Sequence, residues 1–211
     1  MDMSETVSRL AQRKAKRRQE ILQAAAQLFS QRGYDATTAD AIAEVVHLTK
    51  SALYTYVGSK EEIAVLLLEQ VVEQLLHNAR EIESEPVSPV DKLYRLIVRH
   101  VEVIGHHPAS SLLFLHSEHI LSAAQYPRLY ALRDQYEALI RQWIAEGKAA
   151  GIFDVRDVRI AGWLMLGSLN WVIRWFSPQG TLSTESIGHE YARILLRGLS
   201  SEKKEQQQEE A

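Results

Sequence analysis

The stretch between residues 37 and 60, TTADAIAEVVHLTKSALYTYVGSK, constrains the fold more than any other part of this chain. It predicts two short helices joined by a tight turn at His47 and Leu48. Thr37 is predicted to cap the first helix and Thr49 the second, because a threonine oxygen accepts from the free N–H groups of a first helical turn. Two helices at this spacing are typical of helix-turn-helix units, in which the second helix enters the major groove of DNA.

The second of these helices has two different faces. Leu53 and Val57 stand four residues apart and predict a buried stripe. The first helix adds an apolar face made by Ile42, Ala43, Val45 and Val46. Opposite the buried stripe lie short or hydrogen-bonding side chains that a core does not require, namely Lys50, Ser51, Tyr54 and Thr55. The pattern therefore predicts an outward face that reads DNA.

Three successive segments resemble the TetR/AcrR family of bacterial transcriptional regulators: ILQAAAQLFSQRGYDATT at 21–38, IAEVVHLTKSALYTYV at 42–57 and SKEEIAVLLLEQ at 59–70. The chain departs from the family pattern at three places. His47-Leu48 replaces the common Gly-Val of the turn, Val57 replaces a common Phe, and Asp40 stands where many members have a basic residue. Histidine is among the residues that tolerate the left-handed backbone a turn glycine adopts, so we expect His47 to take that conformation.

The resemblance implies which side chains touch DNA. Base edges are expected to be read by Lys50, Ser51, Ala52, Tyr54 and Thr55. Phosphates are expected to be held by Thr38, Tyr56 and Lys60. The partner that this implies is a double-stranded DNA operator.

Charge is distributed unevenly along the chain. The net charge is −3, yet residues 1–60 hold nine Lys and Arg against six Asp and Glu, a balance of +3 that leaves −6 for the remainder. Residues 9–18 contain six basic side chains and no acidic one. This predicts a basic end that attracts DNA phosphates and an acidic body that repels them. Two interpretations of the basic run stay open: a solvated helix face, or phosphate and minor-groove contacts with Arg17 and Arg18 among them.

Apolar periodicity predicts an all-α chain of about nine helices. The five prolines all follow residue 85 and fall in gaps between periodic segments. We predict an N-terminal three-helix DNA-binding domain at 1–62, with residues 1–12 mobile. A helical ligand-binding and dimerisation domain is predicted at 63–200, and a disordered tail at 201–211.

Two helices near the C-terminus carry more apolar surface than one chain's core needs. The helix at about 156–176 is apolar nearly all round, and the helix that begins near Ser183 carries an apolar stripe. We predict that they pair across a two-fold axis and form a homodimer. The resemblance implies the same interface. Its predicted residues on the last helix are Ile187, Tyr191, Ile194 and Leu195.

A small-molecule site is predicted among the helices of the second domain, which are rich in aromatic side chains. Asn170 and Arg174 lie four residues apart on an otherwise apolar helix, where a charge needs a partner or a function. A largely apolar cavity with a few polar groups is typical of ligand sites. The resemblance implies an effector, and residues 170–187 are similar to members that sense acyl-CoA thioesters. The predicted ligand-binding residues are His100, Phe114, His116, Trp143, Trp163, Asn170 and Arg174.

Metal-binding and enzymatic functions have weaker support. The chain has no cysteine, which excludes disulfides and thiolate metal sites. Five histidines between residues 100 and 119 show no known metal-ligand spacing, so no metal site is predicted. A Gly-rich phosphate loop and a nucleophile elbow are missing from the sequence, and neither catalysis nor a cofactor is predicted.

The predicted function is a ligand-responsive bacterial transcriptional regulator, most simply a repressor, which a small apolar effector such as an acyl-CoA releases from a palindromic operator. A polar, basic N-terminus and apolar runs too short for a membrane span predict a cytoplasmic protein without a membrane partner. Two alternatives stay open: a regulator of another ligand class, drug-like or metallic, and an architectural DNA-binding protein.

Overall fold

The computed structural model describes residues 3–115 and 125–201, without the side chains of residues 3–8 and 115. These ranges contain nine α-helices: α1 Met3–Arg32, α2 Ala39–Val45, α3 Lys50–Tyr54, α4 Lys60–Glu83, α5 Pro89–His106, α6 Pro108–Leu112, α7 Pro127–Ala149, α8 Val158–Trp175 and α9 Thr184–Leu199. A 3-10 turn, Leu113–Leu115, follows α6. Extended pairing in these ranges amounts to one bridge between Phe153 and Ser200. The all-α prediction is confirmed.

The described ranges include most of the N-terminal segment predicted to be mobile, but almost none of the C-terminal tail predicted to be disordered. Helix α1 begins at Met3, so residues 3–12 of the segment predicted to be mobile form its opening turns. The predicted disordered tail lies outside the described residues, apart from Ser201.

The helix starts follow from capping side chains, with one correction. Thr38, not Thr37, caps α2, and its hydroxyl oxygen accepts from Ala41 N at 3.1 Å. Thr37 is buried, and its hydroxyl donates to the carbonyl oxygen of Gly33 at 2.8 Å. Thr37 is therefore engaged by a backbone acceptor in the core, and Thr38 caps the helix.

The described residues form two compact units, and the division falls inside α4, between Gln70 and Val71. The first unit contains α1 to α3, the start of α4, α6 and the 3-10 turn. Its core is made by side chains such as Ile21, Ile42, Leu53 and Ile63, which are fully buried. The sequence pattern puts the boundary after residue 62, and it does not predict that α6 joins this unit by packing against α1.

The second unit contains the rest of α4 with α5, α7, α8 and α9. Helix α9 lies along α5 so closely that a Cβ added at Gly188 would stand 2.9 Å from the Cα of Val98. The interior is apolar, with Leu93, Ile97 and Trp143 among its most deeply buried side chains. In the described part of the chain, no helix is both long and apolar enough to cross a lipid bilayer.

Candidate nucleic-acid interface and ligand site

The turn between α2 and α3 has the geometry that the sequence predicts. His47 has a φ of +54°, which is the left-handed backbone conformation. Few residue types other than glycine adopt it, and histidine is one of them. Thr49 caps α3, and its hydroxyl oxygen accepts from Ala52 N at 3.1 Å. The caps and the turn together fix the direction of α3 relative to α2.

Burial separates the two faces of α3 as predicted. Leu53 and Val57 are 0% and 1% exposed and anchor the helix to the core. Lys50, Ser51, Tyr54 and Thr55 are exposed, while Ala52 and Tyr56 are half-buried. On α2 one prediction is wrong, because Val45 is 49% exposed and does not belong to the apolar face. The outward face of α3 therefore presents the predicted base-reading side chains.

Lys50 is paired in the structure with Asp40. Its ammonium donates to the Asp40 carboxylate at 2.9 Å, and this hydrogen bond raises the pKa of Lys50. Both side chains are more than half exposed, so the pair adds little stability. If Lys50 contacts DNA as predicted, it exchanges the Asp40 carboxylate for an acceptor on the nucleic acid.

Arg17 and Arg18, predicted to contact DNA, hold the first unit together. Arg17 donates to the carbonyl oxygen of Val46 and to the Glu20 carboxylate, both at 2.6 Å. Val46 is the C-cap of α2, so Arg17 satisfies a helix end that lacks an intrahelical partner. Arg18 pairs with Glu62 at 3.2 Å. Contact between these two arginines and DNA stays a prediction.

Lys60 also has partners within the first unit. Its ammonium donates to the carbonyl oxygens of Tyr34 and Thr37, each at 3.1 Å, and lies 4.2 Å from the centre of the Tyr34 ring. A lysine held in this way closes the loop before α2 and retains donor capacity for a phosphate. Replacing Lys60 would disturb the fold of the first unit as well as any phosphate contact. The contact itself stays a prediction.

An exposed apolar surface covers one side of α8 and α9 in the second unit. Ile160, Leu164 and Trp171 are 61%, 61% and 57% exposed, and Ile194 on α9 is 53% exposed. Between the two helices lies a cavity of about 230 Å³, lined by Ala161, Leu164, Met165, Ile194, Leu195, Gly198 and Leu199. We call this surface the α8–α9 face. Large contiguous apolar surfaces are typical of interaction sites.

The predicted dimer residues divide between this face and the interior. Ile194 is exposed, and Tyr191 and Leu195 are half-buried. Ile187 is 4% exposed, so its assignment to the interface is wrong. The close approach of α9 to α5 at the neighbouring Gly188 places Ile187 in the protomer's own core.

The second unit contains a polar cluster formed by His100 of α5, Tyr136 of α7 and Asn170 of α8. His100 and Tyr136 are 1% and 4% exposed, and the Tyr136 hydroxyl shares a hydrogen bond of 2.9 Å with His100 Nδ1. His100 Nε2 is buried and has no partner of proper hydrogen-bond geometry, although the Asn170 side chain is close enough to act on the imidazole as a hydrogen-bond partner and raises its pKa. Burial has the larger effect and lowers that pKa to about 4, so His100 is neutral at pH 7. An unpaired buried polar atom is costly and calls for an explanation.

Tyr136 is the member of this cluster that the sequence does not identify as a site residue. It stands seven residues before Trp143 on α7, and this spacing puts both side chains on one face of the helix. Trp143 itself is fully buried, and its indole N–H donates to the Glu83 carboxylate, which also accepts from Lys92 at 2.7 Å. The polar group of Trp143 is therefore occupied, and only its ring is left for a ligand.

Two other predicted ligand residues, both on α8, do not join this cluster. Trp163 is 56% exposed and donates to Glu137 at 2.8 Å, and Arg174 is also exposed. The sequence misplaces both because α8 is apolar on most sides, and its buried stripe runs instead through Ala161, Met165, Leu169, Val172 and Ile173. Phe114 belongs to the first unit and is half-buried. His116 lies outside the described residues.

The histidines give no metal site in the described ranges. Residues 3–115 and 125–201 contain no group of three or more histidine or carboxylate side chains placed to hold a metal ion. His119 is not among the described residues.

Acidification is expected to destabilise the second unit through His100. An unfolded histidine has a pKa of about 6.5, whereas burial lowers the pKa of His100 to about 4. Between these values the unfolded chain binds a proton that the folded chain excludes, so the free energy of unfolding falls as the pH falls. The expected loss between pH 7 and pH 4 is about 3 kcal/mol.

Urea unfolding at the two pH values measures this loss. The matched control is the double variant His100→Leu/Tyr136→Phe, which removes both partners of the hydrogen bond and so leaves no orphaned group. The control should lose clearly less stability on acidification than the wild type. Equal losses in the two proteins would contradict this role for His100.

Comparison with known proteins adds to this geometry. Residues 21–67 match the family model described as bacterial regulatory proteins, tetR family, and residues 86–199 match that of the tetracyclin repressor-like C-terminal domain. The chain is similar to the HTH-type transcriptional repressor KstR2 of Mycobacterium tuberculosis, with 30% identity over 202 residues that cover 93% of this chain and 99% of the relative. Its similarity to KstR2 of Mycolicibacterium smegmatis is 31% over 192 residues, covering 88% and 92%.

Solved structures of regulators of this kind also superpose on the chain. The structure of KstR2 from M. tuberculosis, described as a ketosteroid transcriptional regulator, superposes with a TM-score of 0.79 at 28% identity, covering 88% of this chain and 96% of that one. The TetR family transcriptional regulator PfmR from Thermus thermophilus superposes with a TM-score of 0.77 at 32% identity, covering 86% and 99%.

Proposed function

This chain belongs to the tetR family of bacterial regulatory proteins, and from that premise we propose that it is a transcriptional repressor. It binds a palindromic operator in double-stranded DNA as a homodimer, and a small, largely apolar effector releases it. The observation that carries the DNA-binding part is the exposed row of Lys50, Ser51 and Tyr54 on α3, with Thr55 at its C-cap, on a helix anchored by Leu53. Repression is supported by the similarity to KstR2. Access to chromosomal DNA requires a cytoplasmic protein.

The homodimer is supported by the α8–α9 face. A chain that exposes several large apolar side chains on one side leaves them in water unless a partner covers them. Two-fold symmetry pairs this face with the same face of a second copy. The dimer then carries two copies of α3, one for each half of a palindrome.

The effector site is supported by the buried pair of His100 and Tyr136 together with the half-buried Asn170. A neutral imidazole with an unpaired Nε2 offers one hydrogen bond in apolar surroundings, which is how ligand sites orient largely apolar molecules. The effector class that we propose is an acyl-CoA thioester or a related carboxylic acid derivative. Residues 170–187 support it by their resemblance to acyl-CoA-sensing regulators, and the description of one KstR2 structure as a ketosteroid transcriptional regulator supports a large apolar effector.

Helix α4 is the proposed route from effector to operator, because it contributes residues to both units. Its C-terminal half is held to α5 by Glu81–Arg99 and Glu83–Lys92 ion pairs, and to α7 by hydrogen bonds from Arg80 and Trp143. An effector that alters the packing of α5 and α7 therefore changes how this half of α4 is held. Binding shifts the equilibrium only if the effector prefers the state that does not fit the operator.

Reciprocal titration tests this proposal. An operator duplex selected from a random pool is titrated with the protein in the presence of a panel of acyl-CoA thioesters and ketosteroid-derived carboxylic acids, and binding is followed by fluorescence anisotropy. We expect at least one compound to weaken operator binding, and the operator to weaken binding of that compound by the same factor, typically about 5- to 150-fold. A compound that binds equally well with and without operator would refute the mechanism.

The His100→Leu/Tyr136→Phe variant makes the same experiment specific to the buried cluster. It should bind the operator like the wild type and respond to the active compound at least about tenfold less, because the hydrogen bond that His100 offers to the effector is gone. An unchanged response would remove the cluster from the effector site and leave operator binding standing.

A further inference from the structure

Helix α1 continues far beyond the core of the first unit. Among its described side chains the first that is fully buried belongs to Ile21, and all side chains of residues 9–16 are exposed. At about 1.5 Å per residue, the turns from Met3 to Glu20 extend over about 27 Å. We call residues 9–16 the α1 arm. Because its side chains are exposed, the α1 arm contributes little to the core of the first unit, and we infer another role for it.

Two pairs of basic residues in this region differ in their partners. Arg17 and Arg18 are engaged by Glu20, Val46 and Glu62, as described above. Arg13 and Lys14 make no ion pair or hydrogen bond in the part of the chain that the structure describes. Each stands four residues before one of the engaged arginines, and like charges at this spacing repel each other along a helix. An anion beside Arg13 and Lys14 would relieve that repulsion.

The same two residues line a groove next to the DNA-reading helix. Leu10, Arg13 and Lys14 form one wall of a cavity of about 510 Å³, and Thr55 and Tyr56 form the other. Thr55 and Tyr56 directly follow α3, so the groove opens beside the helix that reads bases. We call it the arm groove.

We propose that the arm groove binds the sugar-phosphate backbone of duplex DNA beside the half-site, with Arg13 and Lys14 each contacting a phosphate. Leu10 packs against a sugar, and Tyr56 contributes a hydroxyl from the opposite wall. Because phosphates are the same in every sequence, these contacts add affinity without sequence preference. The inference rests on the proposed function for the half-site, and it assigns phosphate contacts to Arg13 and Lys14 in place of Arg17 and Arg18.

The salt dependence of DNA binding tests the assignment. Wild-type protein and the single variants Arg13→Ala, Lys14→Ala and Lys16→Ala are compared on two duplexes of about three helical turns, roughly 30 base pairs. One has random sequence, and the other is a sequence selected by the wild-type protein from a random pool. Lys16 is the matched control, because it lies on the same exposed arm but does not line the groove.

For Arg13→Ala and Lys14→Ala we expect the slope of log K against log salt concentration to become shallower by about one unit for each lost phosphate contact, about two for a dimer. The change should be the same on both duplexes, and the preference for the selected sequence should stay unchanged. Lys16→Ala should change the slope by clearly less. Arg13→Lys keeps the charge and should retain the wild-type slope, which separates loss of contact from loss of fold.

Three results would overturn the inference: a wild-type slope in Arg13→Ala and Lys14→Ala, an equal change in Lys16→Ala, or a changed preference between the two duplexes. The last would mean that the arm reads bases. If the wild type selects no sequence at all, the proposed operator function fails. The slopes on the random duplex still decide the role of the arm in that case.

Discussion

Replacing Ile194 by glutamate is expected to convert the homodimer into a monomer and to weaken operator binding by about 100-fold or more, because avidity from two linked heads is worth about 10²- to 10⁴-fold. Ile194 is half-exposed in the single chain and lines the cavity between α8 and α9. A carboxylate there would be buried without a partner when two copies meet. The single chain itself is expected to stay folded, since the side chain is already in water.

Light scattering and anisotropy measure the two consequences. Ser186→Glu is the matched control, because it also adds a glutamate to α9 but at an exposed position in the first turn, where an acidic residue suits the helix dipole. The control should remain dimeric and bind the operator normally. An Ile194→Glu protein that remains dimeric would show that the α8–α9 face is not the interface.

Loss of the reading side chains of α3 is expected to have the second large effect. Tyr54→Ala and Lys50→Ala should each reduce the preference for the selected operator over random duplex by about 10- to 100-fold, since a base contact is worth roughly 1–3 kcal/mol of discrimination. Tyr54 is exposed and takes no part in the core, so its removal should leave the melting temperature nearly unchanged. Anisotropy on the two duplexes gives the ratio directly.

Asp40→Asn is the informative companion to Lys50→Ala. It removes the carboxylate that holds the Lys50 ammonium, and it also removes a negative charge close to the nucleic acid. We expect tighter binding to random duplex and a steeper salt dependence, with a smaller preference for the operator. If Tyr54→Ala and Lys50→Ala both retained the wild-type preference, α3 would not be the reading helix.

Much of the first unit could be predicted from local chemistry. The Thr49 cap, the left-handed His47 and the buried pair of Leu53 and Val57 all follow from the preferences of single residues or from four-residue spacing. Thr37 and Thr38 could not be told apart in this way. Both can cap a helix, and the choice depends on the carbonyl oxygen of Gly33, which the fold brings to Thr37.

The second unit is harder to predict because its helices are apolar on more than one side. On α8 the sequence does not reveal which side faces the core, so it predicts Trp163 and Arg174 in a ligand site although both are exposed. On α9 the stripe that contains Ile187 and Ile194 divides between core and surface, because α9 approaches α5 closely near its start. Such choices depend on how neighbouring helices pack, which periodicity within one helix does not encode.

The hydrogen-bond partners of long charged side chains also could not be predicted from the sequence. It predicts DNA contacts for Arg17, Arg18 and Lys60. The fold brings carbonyl oxygens of Val46, Tyr34 and Thr37 and the Glu62 carboxylate to these three side chains. Acceptors 23 to 44 residues away in sequence leave no local pattern.

The central claim is that a dimer of this chain reads a two-fold symmetric DNA sequence with α3. Selection of bound duplexes from a random pool, followed by footprinting of the enriched sequence, tests it most directly. The expected result is a palindrome whose half-sites are separated by one helical turn, roughly 34 Å, or a multiple of it, with both halves protected together. Enrichment of a sequence without two-fold symmetry, or no enrichment over the starting pool, would contradict the claim.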